Sequence, residues 1–347
     1  MTDSPLAPVA WFSRLSTSVL RSPPPVDVPS LFARLPQHLS DHGIVPLEGV
    51  YQFDVANEGR WTVSQDGGSL AIARGFTRPE LGHLALTPEA LFGIVGGEID
   101  PVALLRAGGL VHHGAEETHF LTLLLQCFNA RHLEPSLRDH ALGRFYRTGT
   151  CEDASGDPVV VGGWSIPASV GQMLNRLVLR EGLGRTLEIG LAYGISALHL
   201  CEAHRARGTG MHTAIDPWQT RTFRDIGRLN VERSGLMPWF EFLDAPDWLA
   251  LPRLLERGVR IDLAFIDGLH LFDTTLLDFF YCDLILRPGG YLIFDDCTFP
   301  GVEGVIEFVL ANRAYELIEE HHHRVSVLRK TADDDRAEQD VAFHRPF

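Results

Sequence analysis

Residues 261–297, IDLAFIDGLHLFDTTLLDFFYCDLILRPGGYLIFDDC, decide the fold. An apolar run from Leu263 to Ile266 stops at Asp267, and a second from Tyr291 to Phe294 stops at Asp295-Asp296. Between them, residues 273–286 are long enough for a helix, with Phe279, Cys282 and Leu286 at helical spacing and Pro288-Gly289-Gly290 to end it. Short apolar runs on either side of a helix predict neighbouring strands of a parallel sheet covered on both faces. Ligands of such sheets bind beyond the carboxyl ends of the strands, so Asp267, His270, Asp295 and Asp296 are expected to face one crevice. Three carboxylates there repel unless a cation lies between them.

Upstream the alternation is regular: strand 186–189, helix 195–204, strand 211–215, helix 220–233, strand 240–243, helix 247–257. Downstream, a helix near 302–312 leads into strand-like runs at 315–320 and 325–330, close enough to form an antiparallel pair. The expected fold is α/β, a Rossmann-like seven-stranded sheet with helices on both faces, preceded by a smaller α+β domain. The first strand runs into Glu188-Ile189-Gly190-Leu191-Ala192-Tyr193-Gly194 and the second ends at Asp216. Glycines let a ligand approach the backbone, and an acid after the second strand can accept ribose hydroxyls. With G-x-x-x-G in place of G-x-G-x-x-G and no P-loop lysine, the loop favours a nucleoside ligand without phosphates.

A formal net charge of −15 over 347 residues argues against a general nucleic-acid binder, which needs a basic face. Five widely spaced cysteines without a CxxC predict reduced thiols and a cytoplasmic location. No apolar run reaches the ~18–20 residues that span a bilayer. Residues 1–26, with Pro23-Pro24-Pro25, read as a loosely ordered lead and not a signal peptide. Residues 27–145 form the predicted α+β domain, 146–160 a linker and 161–347 the α/β domain. The pairs and runs His112-His113, His321-His322-His323 and Asp333-Asp334-Asp335 read as solvated or structural, not as metal sites.

The motifs LEIGLAYGIS, AIDPWQ and IDLAFIDGLH…LRPGGYLIFDD together resemble class I S-adenosylmethionine-dependent methyltransferases, over about residues 160–330. The resemblance implies S-adenosylmethionine as cofactor. It would be bordered by Glu188, Gly190, Ala192, Gly194 and Asp267, with Asp216 on the ribose hydroxyls and Asp244-Ala245 beside the adenine. Asp267, Asp295 and Asp296 further resemble the acids of metal-dependent O-methyltransferases, of both the catechol type and the type acting on sugar hydroxyls of macrolide-like products. That implies Mg²⁺ or a similar hard divalent cation on those three oxygens. His270 stands where the sugar-directed type has its histidine base, which implies removal of a hydroxyl proton. Trp164, Tyr193, Trp218 and Phe299 are candidates to line an acceptor pocket.

The phrases TPEAL, GEIDPVALL and GGLVHHG in residues 27–130 resemble the sterol carrier protein family, which implies a sheet and helices around an apolar tunnel. A scaffold or oligomer-forming role is the alternative. The expected function is methylation of a hydroxyl on a small molecule, a specialised metabolite, by a homo-oligomer that neither binds nucleic acid nor spans a membrane. The competing readings are a lipid carrier whose second half is a non-catalytic scaffold and, disfavoured by the missing glycine, a nicotinamide oxidoreductase.

Overall fold

A computed structural model describes residues 27–114, 117–134, 137 and 140–336; the expected lead, 1–26, lies outside the described residues. The chain divides into two compact units, one holding residues up to 151 with 158–169 and the other 152–157 with 170 onward.

In the first unit, α1 (Val28–Asp41) starts where the Asp27 carboxylate accepts from the Ser30 N–H, and it buries Val28, Phe32, Leu35 and Leu39 on one face. Strands β1 (Gly49–Val55), β2 (Gly59–Asp66) and β3 (Ser69–Arg74) form the meander announced by Gln65-Asp66-Gly67-Gly68. Two short strands, β4 (His83–Leu86) and β5 (Leu110–His113), complete a sheet of order β3-β2-β1-β4-β5. Their four residues each are too short to show a period in the sequence. Proline-led helices α2 (Pro88–Gly96) and α3 (Pro101–Arg106) are capped by Thr87 and Asp100, and α4 (Glu117–His132) and α5 (Ala141–Thr148) follow. Where the sterol-carrier resemblance implied a tunnel, Phe32 stacks on Trp61 at 4.7 Å within a packed cluster that includes Tyr51, Phe53 and Phe128. The segment expected to be a linker contains a hairpin, β6 (Thr150–Glu152) and β7 (Pro158–Val160). Its loop is closed by the Asp153 carboxylate accepting from the Ser155 and Asp157 N–H groups.

The second unit follows the predicted alternation: α6 (Ala168–Glu181), β8 (Arg185–Ile189), α7 (Ile195–Arg207), β9 (Met211–Ile215), α8 (Ile226–Arg233), β10 (Phe240–Leu243), α9 (Asp247–Glu256), β11 (Ile261–Ile266), α10 (Phe272–Ile285), β12 (Leu286–Phe294), α11 (Pro300–Asn312), β13 (Tyr315–His321) and β14 (Val325–Lys330). The sheet order is β10-β9-β8-β11-β12-β14-β13, parallel except for β14, which runs antiparallel to both neighbours. Strand order reverses between β8 and β11, the place where doubly wound sheets open a crevice. The helix expected from residue 220 begins only at Ile226, because Arg224 and Asp225 adopt left-handed backbone (φ 52° and 57°).

Buried charge ties the edge hairpin to the sheet. Lys330 is 2% exposed and its Nζ reaches Asp283 Oδ1 at 3.0 Å and the Leu286 carbonyl at 3.0 Å, while Arg313 and the Tyr315 hydroxyl each bind Asp283 at 2.7 Å. The acidic run expected to be solvated is partly recruited here, Asp333 pairing with Lys330 and Asp334 with Arg313.

On α10, burial and then the hydrogen bond that protonated Asp278 donates to neighbouring Asp247 push the Asp278 carboxyl up to about 10 from 3.8. A group whose pKa rises on folding contributes stability in full below its unfolded value and loses it as pH climbs toward the folded one. Asp278→Asn, which keeps a donor for Asp247 and cannot ionise, is therefore expected to raise Tm by a few degrees at pH 8. The gain should shrink to nothing near pH 4 in thermal scans across that range.

Candidate active site

The glycine loop between β8 and α7 is held from two sides. Gly190 has φ 94°, and a Cβ there would stand 2.0 Å from the Asp267 carbonyl, so the loop after β8 and the loop after β11 touch only because this residue has no side chain. On the other side, Asp216 Oδ2 accepts from the Leu191 N–H (3.2 Å), the Ala192 N–H (2.9 Å) and Gln219 Nε2 (2.8 Å), and Oδ1 accepts from the Trp218 N–H (2.7 Å). Gln219 Nε2 also donates to the Ala192 carbonyl at 2.8 Å. Ala192 is thereby kept at φ 45°, a conformation a residue with a Cβ rarely adopts.

Gly190, Ala192, Gly194 and Asp216 thus come together at the carboxyl edge, with Asp244 and Ala245 beyond β10 on the same edge. Asp216, assigned from sequence to ribose hydroxyls, is 2% exposed and engaged by loop amides. Glu188 is not brought to that edge. It lies one residue inside β8, fully buried, and pairs with His212 Nε2 of β9 at 3.2 Å. Strand alternation puts it on the face of Thr186, whose hydroxyl contacts both His204 of α7 and His212.

Beyond β11 and β12, Asp267, His270 and Asp296 present ligand atoms within 4.8 Å of one another. His270 Nε2 sits 3.2 Å from Asp267 Oδ1 and 3.2 Å from Asp296 Oδ2, and its ring stacks on Phe299 at 5.2 Å. His270 (φ 57°) and Asp296 (φ 56°) both hold left-handed backbone. The loop is seated on α11, where a Cβ at Gly301 would stand 2.8 Å from the Phe272 nitrogen and 2.9 Å from the His270 carbonyl. Burial raises the Asp267 pKa, and the Asp295 charge adds to the rise against the opposing effect of His270. For His270, burial disfavours the charged ring, but Asp267, Asp296 and Asp295 outweigh it and raise the pKa above 6.5.

Of the three carboxylates expected to meet, Asp295 stands apart from this group. It is fully buried and gripped by Arg324, Nε to Oδ1 at 2.9 Å and Nη2 to Oδ2 at 3.0 Å. Arg324 lies in the β13–β14 turn, which the Phe294–Ser326 pairing and a Cys297 N–H to Arg324 carbonyl bond bring alongside β12. The Asp267 and Asp296 carboxylates offer oxygen donors that fit a hard divalent cation, with the His270 imidazole beside them. Leu269 and Leu271, on either side of His270, are 53% and 57% exposed, an apolar rim around the group that could take up a proton.

Sequence reasoning missed Gln219 and Arg324. The first had a signal, since DPWQ puts an amide three residues after the strand-ending acid; the second, 29 residues from its partner, had none. Of the pocket candidates, Phe299 stacks on His270, Tyr193 packs on Phe223, Trp218 is an exposed neighbour of Asp216, and Trp164 belongs to the first unit. His113 stacks on His83 across β4 and β5, and His322 and His323 form a left-handed turn.

Residues 187–297, from β8 to just past β12, match the family model for a methyltransferase domain. Among solved structures, the chain is similar to an O-methyltransferase from Bacillus cereus in complex with SAH (19% identity, TM-score 0.42, 49% of this chain and 84% of that one). It is also similar to the O-methyltransferase TomG from Streptomyces achromogenes, involved in tomaymycin synthesis, in complex with SAM (19%, 0.41, 48% and 82%). A third is the SAH-bound Podospora anserina methyltransferase PaMTH1 (15%, 0.42, 48% and 80%). No curated protein matches the chain in sequence.

Gly190→Ala should force the Asp267 carbonyl away and separate the two loops. A loss of roughly 2–4 kcal/mol in urea unfolding is expected from a left-handed site with a backbone clash, against a smaller loss of about 1–2 kcal/mol for Ala at Gly156, which shares the left-handed backbone (φ 86°) but has open space around it.

Proposed function

We propose that the protein is an S-adenosylmethionine-dependent O-methyltransferase that acts on a hydroxyl of a small molecule, a specialised metabolite, with Mg²⁺ or a similar divalent cation at Asp267 and Asp296. The observation that carries this reading is His270, held between two aspartates at 3.2 Å each, in a stretch that matches a methyltransferase domain and opens beside the glycine loop. S-adenosylmethionine, when bound, supplies an electrophilic methyl group, and the cation supplies polarisation that acidifies the acceptor hydroxyl.

The chain's own residues do the rest. Asp216 and Gln219 hold the loop from Gly190 to Gly194 in the shape that borders the nucleoside, with Asp244 and Ala245 toward the adenine. His270, whose Nε2 lies 3.2 Å from Asp267 Oδ1 and from Asp296 Oδ2, takes the hydroxyl proton of an acceptor placed beside that pair. Stacking on Phe299 and the close seat on Gly301 fix the ring, which favours a single line of approach for the acceptor oxygen. Leu269 and Leu271 favour an acceptor with an apolar body. The first unit serves as an auxiliary domain, carrier-like or oligomer-forming, in a cytoplasmic homo-oligomer.

Calorimetric titration of S-adenosylhomocysteine tests the cofactor. Micromolar binding is expected, weakened at least ~10-fold in Asp216→Ala because the loop amides lose their acceptor. No binding to the wild-type protein refutes the assignment. His270→Ala should lose roughly 10²–10⁴ in rate while binding the cofactor product normally. A base must be neutral to act, so the rate should climb with pH as the His270 ring loses its proton, and a rate that does not change with pH removes His270 from that role.

A further inference from the structure

We infer that Arg324 is a positioning residue that withholds Asp295 from the cation, so that the site is built on Asp267 and Asp296 and its affinity is set from the β13–β14 turn. The inference rests on the metal-dependent reading above and concerns which of the chain's carboxylates serve it. Asp295 is 0% exposed and Arg324 2% exposed, and the planar guanidinium meets the carboxylate through two parallel bonds of 2.9 and 3.0 Å. Such a fork is among the strongest side-chain pairings, and breaking a buried one leaves an uncompensated charge. Asp295 therefore has no inexpensive route to a metal ion.

The same guanidinium reaches Asp296. Its Nε lies 3.5 Å from Asp296 Oδ1, while Oδ2 is the oxygen placed 3.2 Å from His270 Nε2 and grouped with Asp267. One arginine thus neutralises the first acid of the Asp295-Asp296 pair and leaves the second turned toward Asp267. The remaining two carboxylates match the charge of a divalent cation, whereas three would overbind it and slow its exchange. Two left-handed residues, His322 at φ 50° and His323 at φ 55°, lead directly into Arg324. Strain of this kind persists where the surroundings enforce it, and here the Arg324 grip and the Cys297 N–H bond to the Arg324 carbonyl do so.

The test is a calorimetric titration of Mn²⁺ into metal-stripped, full-length protein, with S-adenosylhomocysteine binding as the control for a folded site. In the charge-conserving double variant Asp295→Asn/Arg324→Gln, the Mn²⁺ Kd is expected to stay within ~3-fold of wild type, because neither residue is a ligand and the net charge is unchanged. Asp267→Asn and Asp296→Asn should each weaken it at least ~30-fold. Arg324→Gln alone should tighten it at least ~10-fold by freeing a third carboxylate; should that variant not fold, the double variant decides. A double variant that loses Mn²⁺ as severely as Asp296→Asn makes Asp295 a ligand and overturns the inference. Wild-type protein that binds S-adenosylhomocysteine but no Mn²⁺ overturns the metal reading and the inference with it, leaving the methyltransferase assignment standing.

Discussion

The second unit depends on a level row of strand ends. Leu243 pairs with Ile215, Ile215 with Ile189, Ile189 with Ile266 and Ile266 with Phe294, so five parallel strands stop side by side. The ladder runs one step further: the N–H groups of Gly190, Asp267 and Asp295 donate to the carbonyls of Ile215, Ile189 and Ile266 at 2.9–3.0 Å. The next residues in the row are Asp244, Asp216, Gly190, Asp267 and Asp295, and each enters its loop at the same height. Parallel pairing therefore creates a line of polar groups along one edge from apolar strands that carry no chemistry themselves.

What happens along that line is governed by how each carboxylate is satisfied. Asp216 is met by backbone amides and becomes the clamp of the glycine loop. Asp295 is met by a buried guanidinium and is neutralised. Asp267 and Asp296 share the Nε2 of a histidine, the arrangement in which a proton can be taken up and its charge held. Identical side chains acquire distinct roles because burial makes an unmet charge costly and the local donor decides how the cost is offset. The antiparallel hairpin at the sheet edge is part of this scheme, anchored by Lys330 and Arg313 on Asp283 and delivering Arg324 from its turn.

In the first unit the helix caps at Asp27, Thr87 and Asp100 fix where three helices begin, and each carries a proline in its first turn, Pro29, Pro88 and Pro101, where no backbone N–H is needed. The parallel pairing of β1 with β4 joins residues about thirty positions apart. The four-residue strands β4 and β5 gain their stability from neighbours on the sheet, which is why local pattern does not reveal them.

The sequence by itself determined the alternation of the second unit, the edge on which its functional side chains gather, and the residue types available there. Apolar runs of period-specific length, glycines at strand ends and acids just beyond them are local signals, and His270 three residues after Asp267 is legible from spacing alone. Tertiary structure decided how those side chains pair. Glu188 is interior because alternation along β8 turns it toward His212, a residue from another strand. Asp295 is separated from Asp296 because Arg324 arrives from a hairpin whose register, not its sequence, sets it beside β12. A local pattern records what one segment can bury or cap; the partner of a buried charge is fixed only when distant segments pack, since the desolvation that makes the pairing matter does not exist before they do.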